Sequence, residues 1–199
     1  MIQISRAQKV PVLMYHSISD GRSNEPTCME LAGMTVNIDQ FRAQMEYVVS
    51  HYNTITLGDF MRWRFNDGPL QSNPCMITFD DGLLDNYKNA LPILKELGIN
   101  AAFFIIGKSM ITSEPAWIHE LHAIFDSVTP VECFSALPEL FPDVSGSEQI
   151  DKISLMSRSN ELFNFISREK REALLNRLRV EFQDQTRNNH IRYMNASHV

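Results

Sequence analysis

The sequence predicts an α/β fold with a parallel sheet or barrel in its first half and a mostly helical second half. Three observations carry this. Short apolar runs alternate with helix-period stretches from Val10 to Ile106, the pattern of a parallel sheet with crossover helices. After Gly107 no convincing strand pattern follows. The composition is that of a packed globule: 44% of 199 residues are apolar, with 12 Phe, 5 Tyr and 2 Trp, too many large apolar groups for a disordered chain.

The elements follow in order. Val10–His16 (VPVLMYH) is a short run suited to a buried strand, and residues 17–36, rich in Ser, Gly, Asn and Pro, read as a loop. From Asp39, the residues Phe41, Met45, Val48 and Val49 recur at spacings of three and four, which predicts an amphipathic helix ending near His51. Asn53–Leu57 (NTITL) is a second strand candidate. Thr56 and Asp59 have the spacing of a capping box for a short helix through Trp63. After a turn-rich loop at 66–74, Cys75–Phe79 (CMITF) is a third strand, apolar on both faces. The next helix carries Leu91, Leu94 and Leu97, with Pro92 tolerable in its first turn and Gly98 placed for a left-handed end. Ala101–Ile106 (AAFFII) is the fourth strand.

In the second half, Trp117, Leu121, Ile124 and Phe125 form one stripe of a helix over 116–126. Residues 130–146 hold three prolines and read as an irregular connection, and 149–166 is patchily helical. Ser167 is placed to cap a last helix from Arg168 to about Gln183, with Leu174, Leu178 and Phe182 on one face. The expected division is 1–107 for the α/β part and 108–199 for the helical extension, with the boundary near Gly107–Pro115.

Charge and cysteine usage narrow the function classes. Lys and Arg number 18 against 24 Asp and Glu, a net charge of −6 spread over both halves. No basic footprint for nucleic acid is visible. Cys28, Cys75 and Cys133 are odd in number and widely spaced, which suggests buried thiols in a reducing compartment rather than a disulfide framework or zinc ribbon. No apolar run reaches the ~20 residues of a membrane span. Met1–Arg6 lacks the character of a signal peptide, so a cytoplasmic location is expected.

One feature stands above the rest. Met76-Ile77-Thr78-Phe79-Asp80-Asp81-Gly82 puts two adjacent carboxylates and a glycine at the C-terminal end of a buried strand, the end at which α/β proteins build active sites. Adjacent acids repel unless a cation, hydrogen bonds or a proton compensates, so the pair invites a divalent metal or acid–base work. The plainer alternative is that Asp80, Asp81 and Asp85 are turn and cap acids before a helix.

The run Thr78–Gly82 (TFDDG) resembles the first motif of the polysaccharide deacetylases, the NodB-homology carbohydrate esterases. Pro11–His16 (PVLMYH) is similar to the first strand of one branch of that family. Asp80–Gly107 matches the family's passage from motif to helix to strand. The resemblance implies part of a distorted (β/α) barrel and hydrolysis of N-acetyl, or O-acetyl, groups of a carbohydrate. It implies zinc or another divalent metal as cofactor, Asp80 as the general base that deprotonates metal-bound water, and Asp81 as a metal ligand.

The rest of the family's site is not in the sequence. The second motif, His-Ser/Thr-x-x-His, is absent, as are the later Arg-containing motif and the Leu-x-His that supplies the general acid. His119 and His122 lie three apart in the helical part. They are spaced to share a metal on one helix face, or to sit as a partly exposed, non-ligating pair. His16 could line the site or be a buried, bonded histidine. The helical part takes about 90 residues, leaving too few to close a barrel of the usual ~250. The expectation is therefore the N-terminal part of a deacetylase, weakly active or inactive alone, and able to self-associate through an incomplete sheet. Two other readings remain at this point: a non-catalytic remnant that binds glycan or protein, and a phosphoryl-transfer enzyme, although adjacent acids fit the latter's aspartate motif poorly. Trp63 and Trp117 are placed for core packing or sugar stacking, and Asn195-Ala196-Ser197 has the form of a glycosylation acceptor.

Overall fold

The computed structural model describes residues 9–21, 27–66, 68–140, 151–186 and 191–198. They fall into two compact units. The first comprises residues 9–21, 34–66, 68–111 and 193–198, the second 27–33, 112–140, 151–186 and 191–192.

The first unit is built on strand β5 (Pro74–Phe79), in which every residue is buried. β1 (Val12–Tyr15) runs parallel to it, Val12 opposite Met76 and Tyr15 opposite Phe79. β6 (Ala101–Phe103) pairs with its last three residues and the short β4 (Asn53–Thr54) with its first two, both parallel. Among the described residues this four-stranded sheet does not close on itself. Two parallel strands, β2 (Ser17–Ser19) and β3 (Thr35–Asn37), form a second small sheet. They occupy part of the segment expected to be a loop. Each is three residues long and pairs across the intervening chain, so no local pattern announces it.

Two of this unit's helices, over residues 38–51 and 91–97, supply apolar side chains to the core on the sheet. α2 (Ile38–His51) begins on an Asn37 cap and buries Phe41, Met45 and Val48. α3 (Leu57–Asn66) starts on the expected capping box, with Thr56 Oγ1 accepting from the Asp59 amide at 3.1 Å and the Asp59 carboxylate accepting from the Thr56 amide at 3.1 Å. It buries none of its residues. A π-helical turn (Asn86–Ala90) leads into α4 (Leu91–Leu97), which ends at left-handed Gly98, φ 66°. α5 (Gly107–Thr112) follows β6. The core holds Tyr15, Phe41, Phe79, Ile77, Ile93 and Leu94, with partly buried Phe103 packed against it. Phe79 stacks on Phe103 at 4.7 Å and on Tyr15 at 5.5 Å, while Phe41 meets Tyr15 edge-on at 5.1 Å, an aromatic layer directly under the end of β5.

The second unit is helical: α1 (Cys28–Leu31), α6 (Trp117–Ser127), α7 (Pro130–Ala136), α8 (Lys152–Phe165), α9 (Arg168–Glu181) and α10 (Gln183–Thr186). α7 lies where an irregular connection was expected. Thr129 and Glu132 close a capping box around Pro130, so a proline at the first helical position starts this helix instead of breaking it. Ser167 caps α9 as expected, accepting from the Lys170 amide. The core gathers Leu121, Ile124, Phe125, Leu155, Phe163, Leu175 and Leu178 around buried Cys28 and Cys133. Trp117 packs here, stacked on Phe163 at 5.8 Å with the Arg171 guanidinium 4.5 Å from the centre of its ring. All three cysteines are free and buried. No described helix is long and apolar enough to cross a membrane.

Candidate active site

β5 delivers the acid pair. Its ladder with β1 runs one bond past the strand, from the Asp80 amide to the Tyr15 carbonyl at 2.9 Å. This fixes the Asp80 backbone beside the end of β1. The chain then enters two successive left-handed residues, Asp81 at φ 70° and Gly82 at φ 67°. For Gly82 no other residue would serve. A Cβ there would lie 2.7 Å from Ile105 Cγ2 and 3.1 Å from Ile105 Cα, so the turn lies flat on the chain leaving β6. Asp81 is one of the few residue types that tolerate this backbone, and such strain concentrates at functional sites.

The turn is braced on further sides. Gly82 O accepts from the Met194 amide at 2.8 Å, and Leu83 bridges Tyr193 antiparallel. Ser17 Oγ donates to Asp85 Oδ2 at 2.6 Å, and Asn89 Nδ2 donates to the Ile18 carbonyl at 2.6 Å. Asp85 is thus not the cap acid of the plainer reading. It makes no side-chain cap bond to the π-helical turn and instead ties that turn to β2. A π-turn inserts a residue into the helical ladder and recurs at functional sites, which suits the tight exit from the acid pair.

His16 follows Tyr15 directly and so arrives at the same place. Its Nε2 lies 4.0 Å from Asp80 Oδ2, with the two side chains 22% and 33% exposed. The structure thus brings His16 to Asp80, with Asp81 the next residue along the chain. Beneath them Tyr15 donates from its hydroxyl to Gln44 Oε1 at 2.8 Å, and burial, with a smaller contribution from Cys75, pushes its phenol up to about 12. Sequence reasoning missed Ser17 and Asn89, whose bonds join residues about 70 apart and leave no local signal.

A divalent metal is a different matter. Among the described residues no three of His, Cys, Asp and Glu are grouped so as to hold a metal ion. Asp81 is one donor, whereas a catalytic zinc normally takes three protein ligands. The described residues therefore do not complete a metal centre. His119 and His122 do not help. Both lie on α6 in the second unit, and both are buried rather than partly exposed as expected.

A family model and a curated relative agree with the motif. A family model for polysaccharide deacetylases matches residues 67–127. The chain is 36% identical over 110 residues to the Bacillus subtilis (strain 168) protein YxkH, which bears a polysaccharide deacetylase name. That match covers 55% of this chain and 36% of the relative. Among solved structures, the Streptococcus pyogenes deacetylase PplD in complex with acetate aligns with a TM-score of 0.46 and 28% identity, over 55% of this chain and 47% of that one. A Bacillus cereus polysaccharide deacetylase aligns with a TM-score of 0.42 and 26% identity, over 63% of this chain and 43% of that one. The chain spans about a third of the curated relative's length and less than half of either solved chain.

Proposed function

Over residues 67–127 this chain is of the polysaccharide deacetylase family, and from that premise we propose that it carries the acid-pair end of a carbohydrate deacetylase site. The observation that supports this most is the meeting of Asp80 and His16 at the end of a fully buried strand, 4.0 Å apart. In this reading Asp80 takes the proton of the water that attacks the acetyl carbonyl. His16, beside it, is placed to pass a proton to the leaving amine. Asp81 supplies one carboxylate donor toward a divalent cation, zinc by family resemblance. The substrate class is an N-acetylated carbohydrate, and the sheet around β5 is the start of a barrel of the family type.

A second reading is favoured by the incomplete donor set: a non-catalytic module that retains the acid turn as part of a carbohydrate-binding surface.

Acetate release from a chito-oligosaccharide, with zinc or cobalt added, tests both. The chain alone is expected to release acetate slowly, only with metal, and not after Asp80→Asn. No release at any metal concentration, with oligosaccharide binding intact, favours the second reading. Release without metal, or unchanged by Asp80→Asn, overturns the proposed roles.

A further inference from the structure

The helical second unit contains a polar group that the proposed chemistry does not use. His122 lies on α6 and is 0% exposed. Neither ring nitrogen makes a hydrogen bond of ordinary geometry, although the Asn160 side chain on α8 is near enough to act on it, and Asn160 Oδ1 is likewise unbonded. A neutral imidazole can be held in such a place at modest cost. A protonated one cannot, because a buried charge needs a partner and bonded protons. We propose that the second unit opens in mild acid, and that protonation of His122 drives the opening.

The surroundings decide what a charge there would meet. One turn earlier on the same helix sits a second buried imidazole, His119. α8 contributes a cation, Lys152. The acid acting on His122 is Asp126, one turn later on α6, and it is already engaged: Lys152 Nζ is 2.5 Å from its Oδ1, which also accepts the Cys28 amide at 2.8 Å. Among the other described side chains, α1 and α7 contribute the buried thiols Cys28 and Cys133. Their acids Glu30 and Glu132 are held by Thr27 and Thr129 in capping boxes. α9 contributes Leu175 and Leu178, while its Arg179 is paired with Glu120. Two cationic or potentially cationic neighbours therefore face one acid that is already neutralised.

Burial, and then the repulsion of His119, holds the His122 imidazole down at about 4, against an ordinary value of 6.5. Since the folded value is the lower, the opened state binds more protons as pH falls below 6.5. Stability of the unit is complete above that value and is lost progressively as pH drops toward 4. A gap of this size corresponds to roughly a 300-fold rise in the opening equilibrium.

The three thiols supply the test, because Cys28 and Cys133 lie in the second unit and Cys75 in the first. The full chain is labelled with 4,4′-dithiodipyridine between pH 7 and 4, and each cysteine is followed by peptide mass spectrometry. Labelling of Cys28 and Cys133, corrected for intrinsic thiol reactivity, is expected to rise by up to two orders of magnitude while Cys75 stays protected. His122→Leu should flatten that rise. Equal exposure of Cys75, or no rise at all, overturns the proposal. So does a proton NMR titration that finds the His122 ring of the folded wild-type chain titrating near 6.5, a measurement that stands even if the variant fails to fold.

Discussion

His16 Nε2 faces Asp80 Oδ2 across 4.0 Å, although the two residues are 64 positions apart in sequence. The bond from the Asp80 amide to the Tyr15 carbonyl holds the two backbones in register, so the pair is set by the sheet and not by loop placement. In any preparation that releases acetate, His16→Gln should lower kcat by about 100-fold, the usual contribution of a positioned acid or base, with little change in KM. A loss confined to KM, measured in steady-state kinetics, would assign His16 to binding alone.

Gly82 answers a different demand. A methyl group there meets Ile105 at 2.7 Å on a backbone with φ 67°. Gly82→Ala should cost about 2–4 kcal/mol, from overpacking and from a left-handed alanine together. Urea denaturation of the variant should show a lower midpoint with an unchanged slope. Gly98 makes a clean comparison: its φ is 66° but its missing Cβ faces open space, so alanine there should cost only about 1–2 kcal/mol.

Ser17 is buried and its hydroxyl donates to Asp85 at 2.6 Å. Removing the donor takes away that bond in a half-buried site. Ser17→Ala should therefore destabilise by about 1–3 kcal/mol, and Asp85→Asn, which keeps an acceptor oxygen, by less. Chemical denaturation of both variants gives the ranking, and equal losses would argue that charge rather than the bond is what counts.

Tyr15 supplies a prediction in alkali. Burial raises its phenol to about 12 from an ordinary 10.0, so the folded state holds that proton more tightly than the unfolded chain. The associated stability is intact below pH 10 and declines as pH climbs through 12. Ultraviolet titration at the tyrosinate band should show one tyrosine ionising late, and Tyr15→Phe should remove that late step.

Where local chemistry sets an element, the sequence shows it. Alternation of apolar runs and helix periods located β5, α2 and α4, the Ser167 cap located the start of α9, and Gly98 located the end of α4. The acid pair was legible because Thr78–Gly82 is itself a local motif. The small sheet of β2 and β3 was not, since three-residue strands are stabilised by pairing with distant chain. Two of the missed helices, α1 and α7, did carry readable signals, Thr27 with Glu30 and Thr129 with Glu132, which the weight given to nearby Pro and Gly obscured. Asp85 shows the other limit: its sequence position suggests a cap, and only the approach of Ser17 from 68 residues away makes it a cross-link.

The left-handed backbone of Asp81 sets two selective pressures against each other. At φ 70° glycine is the residue the main chain favours, and under the proposed function the aspartate stands there for its carboxylate. A saturation scan read once by cellular abundance and once by activity would therefore disagree most sharply at this codon. Abundance would rank Gly first with Asn close behind, activity would rank Asp first, and the gap between the rankings would measure how far this turn trades durability for chemistry.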